Sequence, residues 1–149
     1  MGDAGRKETE PTPIKRHFKL VRSKIPEIIA KGGEHADWHP LTFEDTLYHL
    51  TRSDGKLQEE VDELIKTRIK ESKIDEVVDV IQVVLDIAYH LDVSEEEVEA
   101  LRKEKQEKKG DFKTGTFLVS SGSVEAYQER ERYIKRVAEE MRERNEEAG

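Results

Sequence analysis

Between Ser72 and His90 the apolar residues Ile74, Val77, Val78, Ile81, Val84, Leu85 and Ala88 recur at three- and four-residue spacing. On a wheel of about 3.6 residues per turn they share one wide face, which a strand with its period of two could not assemble. The segment therefore predicts a helix whose broad apolar face is buried against several neighbours. Glu76, Asp79, Asp86 and His90 gather on the edge of that face. Acids on the edge of a buried helix are costly to desolvate, so they are candidates for chemistry.

Other segments repeat the helical pattern. Pro26 suits the first turn of a short helix that Gly32 and Gly33 terminate, and residues 34–41 read as a loop. Thr42-Phe43-Glu44-Asp45 has the spacing of a capping box and opens a helix through Leu47 and Leu50, which Gly55 kinks or interrupts. From Lys56, the residues Leu57, Val61, Leu64 and Ile65 again recur at helical spacing, and Ser72 to Asp75 can cap the apolar helix. Ser94-Glu95-Glu96-Glu97 caps a further helix that Gly110 ends, residues 112–120 read as short and extended, and Tyr127, Ile134, Val137 and Met141 mark an amphipathic helix from Val124 to about Glu143. No β-rich stretch and no long repeat interrupts this series. The expected class is all-α, a helical bundle, with residues 1–17 a disordered leader, 18–120 the domain and 121–149 a C-terminal helical extension.

Composition narrows the functions. The chain has 149 residues, 34 Asp and Glu against 26 Lys and Arg, and no Cys, for a formal charge of −8. Without Cys there is no disulfide framework, thiolate zinc site or cysteine nucleophile, and a reducing cytoplasm is the default compartment. No apolar run is long enough for a membrane span, and the excess of acid disfavours general binding to nucleic acid.

The acids themselves form a pattern. Glu59-Glu60-x-x-Glu63 lies on one predicted helix and Glu76-x-x-Asp79 on the next, so an antiparallel pair would let the two sets face each other. Carboxylates at that density repel unless protonated or neutralised, and oxygen ligands without Cys suit Mg²⁺ or Mn²⁺. The motif alone is weak evidence, because Glu95-Glu96-x-x-Glu99 and Glu139-Glu140-x-x-Glu143 have the same spacing and read as solvated helix faces. Only the first copy is followed closely by a second acidic pair on a strongly apolar helix.

At these residues the chain resembles the all-α nucleoside triphosphate pyrophosphatases of the MazG-like superfamily, and more narrowly their phosphoribosyl-ATP pyrophosphohydrolase-like, house-cleaning subgroup. Lys19-Leu20-Val21-Arg22-Ser23-Lys24-Ile25-Pro26 is similar to that subgroup's KLVRDKIP opening, with Ser23 where Asp is usual. The EExxE and ExxD pair, with Lys56-Leu57 upstream, resembles the superfamily's metal motif. Leu101-Arg102-Lys103-x-Lys105, Lys109-Gly110-x-Phe112 and Gly115-x-Phe117-Leu118 resemble its closing block, with Lys109 where Arg is usual. The matching blocks span residues 19–119.

The resemblance implies Mg²⁺-dependent hydrolysis of a nucleoside triphosphate, canonical or not, to the monophosphate and pyrophosphate. Glu60, Glu63, Glu76 and Asp79 would hold metal, with Glu59 as ligand or base and Glu59 and Glu60 the catalytic pair. Arg22, Lys24, Lys56, Lys103, Lys105 and Lys109 would grip the triphosphate, because carboxylates alone repel it. A second subunit would complete the bundle as a homodimer or tetramer. Two alternatives stand beside this expectation: phosphoribosyl-ATP pyrophosphohydrolase proper, and a non-catalytic helical interaction module whose acids are a soluble coat. The loop motif His35-x-Asp37-Trp38-His39 could bind a metal or set Trp38 against a base but reads more simply as a local packing anchor, and His90 reads as a helix C-terminal residue favoured by the dipole.

Overall fold

A computed structural model describes residues 10–149, so most of the expected leader lies outside the described residues. Six helices follow in order: α1 (Ile25–Lys31), α2 (Phe43–Thr51), α3 (Lys56–Lys66), α4 (Lys70–His90), α5 (Glu95–Lys109) and α6 (Val124–Ala148). No strand occurs among the described residues, and the class is all-α. No described helix is long and apolar enough to cross a membrane. The chain divides into two compact units, one ending at Glu107 and the other running from Lys108 to Gly149.

Local chemistry sets most boundaries. Thr42 is extended and its hydroxyl accepts from the Asp45 N–H at 3.1 Å, satisfying one of the free donors at the start of α2. At the start of α5 the capping box is reciprocal: Glu97 N–H donates to Ser94 Oγ at 3.2 Å and Ser94 N–H to Glu97 Oε2 at 3.1 Å. Gly110, at φ +78°, supplies the left-handed residue that ends α5. Gly55 does more than kink a helix. It separates α2 from α3 and caps the latter, and a Cβ there would lie 2.7 Å from Arg52 Cγ and closer still to the His49 carbonyl oxygen.

Two expectations about α4 are corrected. The helix begins at Lys70 with Ile69 as an uncapped N-cap, so Ser72 lies inside its first turn. Lys70 and Glu71 are good helix formers, and Glu71 favours the N-terminal dipole, so no side-chain cap is needed. The second correction concerns the buried face. Helices α2, α3 and α4 pack on one another, but they cover the side of α4 bearing Glu76, Val80, Val83, Ile87 and His90, with Asp79 beside them. The expected apolar face stays open over most of its length, with Ile74 and Val78 keeping 55% and 54% of their surface and Ile81 51%, while Leu85 and Ala88 of that face are half-buried.

The core is correspondingly small. Leu50 and Val83 are the buried hydrophobic side chains among the described residues, each with 5% of its surface exposed. At the far end of α4 the exposed Phe43 ring stacks on the surface, with ring centroids 4.5 Å from His90 and 6.1 Å from Tyr89.

Candidate metal and phosphate site

Glu60 on α3 and Glu76 and Asp79 on α4 each offer a carboxylate oxygen, and these three atoms lie within 4.8 Å of one another. The hairpin formed by α3, the short turn at 67–69 and α4 creates this convergence, because residues three apart share a face and the tight turn sets the two faces opposite. All three residues are half-buried. Among the described residues no other set of three acids or histidines converges in this way.

Cationic side chains surround the acids. Lys56 Nζ is 2.7 Å from Glu60 and 3.4 Å from Glu59. This pair is enclosed, with 16% of the Lys56 side chain and 13% of the Glu60 side chain exposed. The arm before α1 supplies two more cations: Lys19 Nζ donates to Glu59 at 3.1 Å, and an Arg22 guanidinium nitrogen to Asp79 Oδ1 at 2.5 Å. Both arm side chains are about half exposed, so each of these pairs contributes roughly 0–1 kcal/mol and holds the arm loosely. Removing Lys56 would leave an enclosed carboxylate without its partner, at a cost of order 1–3 kcal/mol.

The electrostatic balance is uneven. Burial pushes the Glu59 carboxyl up, but the Lys19 hydrogen bond and the charges of Lys56 and Lys19 outweigh it and hold Glu59 below its ordinary value. For Lys56, burial opposes the charged form, yet Glu60 and Glu59 overcome it and raise its pKa. Glu76 behaves in the opposite way to Glu59. Desolvation, followed by the charges of Asp79, Glu60, Glu63 and Asp75, raises its pKa, and no cation is paired with it among the described residues.

Three converging oxygen donors, one with uncompensated negative charge, fit a hard divalent cation. Three carboxylate oxygens within 4.8 Å of one another are the donor type that such a cation takes. Glu63 is exposed and lies outside the converging three, although near enough for its charge to act on Glu76.

Of the predicted phosphate-gripping residues, Arg22 and Lys56 meet the acids directly. Lys24 is the N-cap of α1 and is exposed. Lys103 and Lys105 lie on α5, which packs on none of α2, α3 or α4 among the described residues, and Lys103 is 3.9 Å from Glu99 of its own helix. Lys109 belongs to the second compact unit. His90, eleven residues beyond Asp79 and so about 16 Å along the helix, hydrogen-bonds the Asp86 carbonyl and packs on Phe43.

Lys19 was not singled out by the sequence pattern as a site residue, although it opens the KLVR-like block. Nothing in the spacing of this irregular segment marks it, and only the fold brings it to Glu59. The two other EExxE copies serve as internal controls. Glu99 is held by Arg102 on the same helix, and Glu139, Glu140 and Glu143 are exposed. No protein-family model, curated protein or solved structure matches the chain.

Proposed function

We propose that this protein is a Mg²⁺-dependent nucleotide pyrophosphohydrolase that cleaves a nucleoside triphosphate to the monophosphate and pyrophosphate. The observation that carries the reading is the meeting of Glu60, Glu76 and Asp79 from two helices, ringed by Arg22, Lys19 and Lys56. The order of its motifs, which resembles that of the MazG-like superfamily and includes these same acids, supports it as well. In this reading Glu60, Glu76 and Asp79 hold the cation, and Glu63 is the nearest further carboxylate. A bound divalent cation supplies Lewis-acid polarisation of phosphate oxygens and a more acidic water. Glu59, held ionised by Lys19 and Lys56, is the base that orients the attacking water. Arg22 and Lys56, which meet the acids, are the residues for the phosphates. The open face of α4 supports a homodimer or tetramer in which a second copy covers it.

A pair of measurements tests the reading. An Mg²⁺ titration should show binding to wild type and at least about tenfold weaker binding to Asp79→Asn, since even indirect partners of a ligand contribute 10- to 100-fold. Pyrophosphate release from a panel of nucleoside triphosphates and phosphoribosyl-ATP should fall with it. Turnover of phosphoribosyl-ATP alone would assign the chain to histidine biosynthesis instead.

One observation favours a second reading. Glu60 and Asp79 each already have a cationic partner, as a purely structural cluster in a helical interaction module would require. Mg²⁺ affinity unchanged in Glu63→Gln and Asp79→Asn would establish that reading.

A further inference from the structure

The arm that precedes α1 bears on the acids in a way that the position of Lys56 does not. Lys56 sits on α3 beside the residues it pairs with, enclosed and fixed by the helix. Lys19 and Arg22 come from a segment with no regular structure, and they reach Glu59 and Asp79 across 40 and 57 residues of sequence. Their side chains remain 46% and 52% exposed. Asp79 is thus claimed twice, by the guanidinium and by the converging group of Glu60 and Glu76.

We propose that Lys19 and Arg22 are exchangeable counter-ions of this site: a divalent cation taken up by Glu60, Glu76 and Asp79 displaces Arg22 from Asp79, and the two arm cations then grip the phosphates of the substrate. The inference rests on the metal-binding reading above. A divalent charge among the three acids repels a guanidinium only a hydrogen bond away, and in a half-buried setting that repulsion is weakly screened. The freed guanidinium has a planar fork suited to two phosphate oxygens, whereas Lys19 acts as a point charge. Glu59 keeps Lys56 as a cationic partner when Lys19 leaves. By linkage, cation and polyphosphate each tighten the binding of the other, because each removes the arm from a competing partner.

The experiment uses the full chain with Mn²⁺ and inorganic triphosphate as probes. Arg22→Gln should bind Mn²⁺ several-fold more tightly than wild type, because its competitor is gone, while Arg22→Lys stays near wild type. With Mn²⁺ saturating, Arg22→Gln and Lys19→Gln should each bind triphosphate several-fold more weakly. A merely structural Arg22 would give the opposite sign for the metal, since loosening the site weakens it. Helical circular dichroism verifies that the variants fold, and the half-exposed arm gives no reason for them not to. If wild type binds Mn²⁺ and Arg22→Gln binds it equally or less tightly, the exchange is overturned and the metal site stands. If wild type binds no Mn²⁺, both fall.

Discussion

Glu76 carries the least compensated charge of the acidic cluster, and its consequences for stability can be worked out in sign. Its carboxyl pKa is raised by desolvation and by Asp79, Glu60, Glu63 and Asp75, so the folded chain holds this proton more tightly than the unfolded chain. The stabilisation from this group is present at low pH and is lost as pH rises from the ordinary carboxylate value through the raised one. Thermal unfolding in a chelator, followed from about pH 4 to 7, should show this loss, and Glu76→Gln should flatten it. Glu59 has the opposite sign: its lowered pKa contributes stability above the ordinary value that disappears as pH falls, and Glu59→Gln should remove that acid limb. Added Mg²⁺ should raise the melting temperature of wild type at neutral pH and leave Glu76→Gln little changed.

At the scale of elements, the site depends on the break between α2 and α3. Gly55 lets the chain turn where any Cβ would press on Arg52 and on the His49 carbonyl, and it sets the start of the helix that carries Lys56, Glu59 and Glu60. Gly55→Ala should destabilise the fold by about 1–3 kcal/mol, read by urea unfolding, and weaken cation binding with it. Thr42→Ala removes a cap from a helix that carries no site residue. It should cost about 1 kcal/mol and leave cation affinity in the folded protein unchanged. The boundaries of α1, α2, α3 and α5 were legible from Pro26, Thr42, Gly55, Ser94 and Gly110, because capping and φ preference are local. The start of α4 was less legible, because nothing in the 67–72 stretch forces a stop and the tight hairpin decided it.

For the molecule as a whole, the decisive quantity is how little is buried. Leu50 and Val83 are buried, while Ile74, Val78 and Ile81 on one side of α4 stay about half exposed. Leu50→Ala should cost about 2–5 kcal/mol, a large share of the stability of a small domain, and should unfold much of the population at ordinary temperature. If a second copy covers the open face of α4, the melting temperature rises with protein concentration, and Ile81→Glu abolishes that dependence and sediments as a monomer. A concentration-independent monomer for wild type would overturn the assembly.

Sequence alone determined the helical class, the order of the helices and the acids that could meet, since each follows from spacing and capping within a few residues. It placed Glu76 and Asp79 on the right helix, and the control copies at Glu95 and Glu139 on solvated ones. It was right about Leu85 and Ala88, which are half-buried, and wrong about most of the expected buried face of α4. Counting apolar residues favours the side of Ile74, Val78 and Ile81, whereas the hairpin with α3 and the approach of α2 cover the side of Val80, Val83 and Ile87. Which face of a helix is buried depends on what neighbours are present to cover it, and that is a property of three-dimensional packing. For the same reason only the tertiary structure joined Lys19 to Glu59 and Arg22 to Asp79: a salt bridge across 57 residues has no periodicity to reveal it.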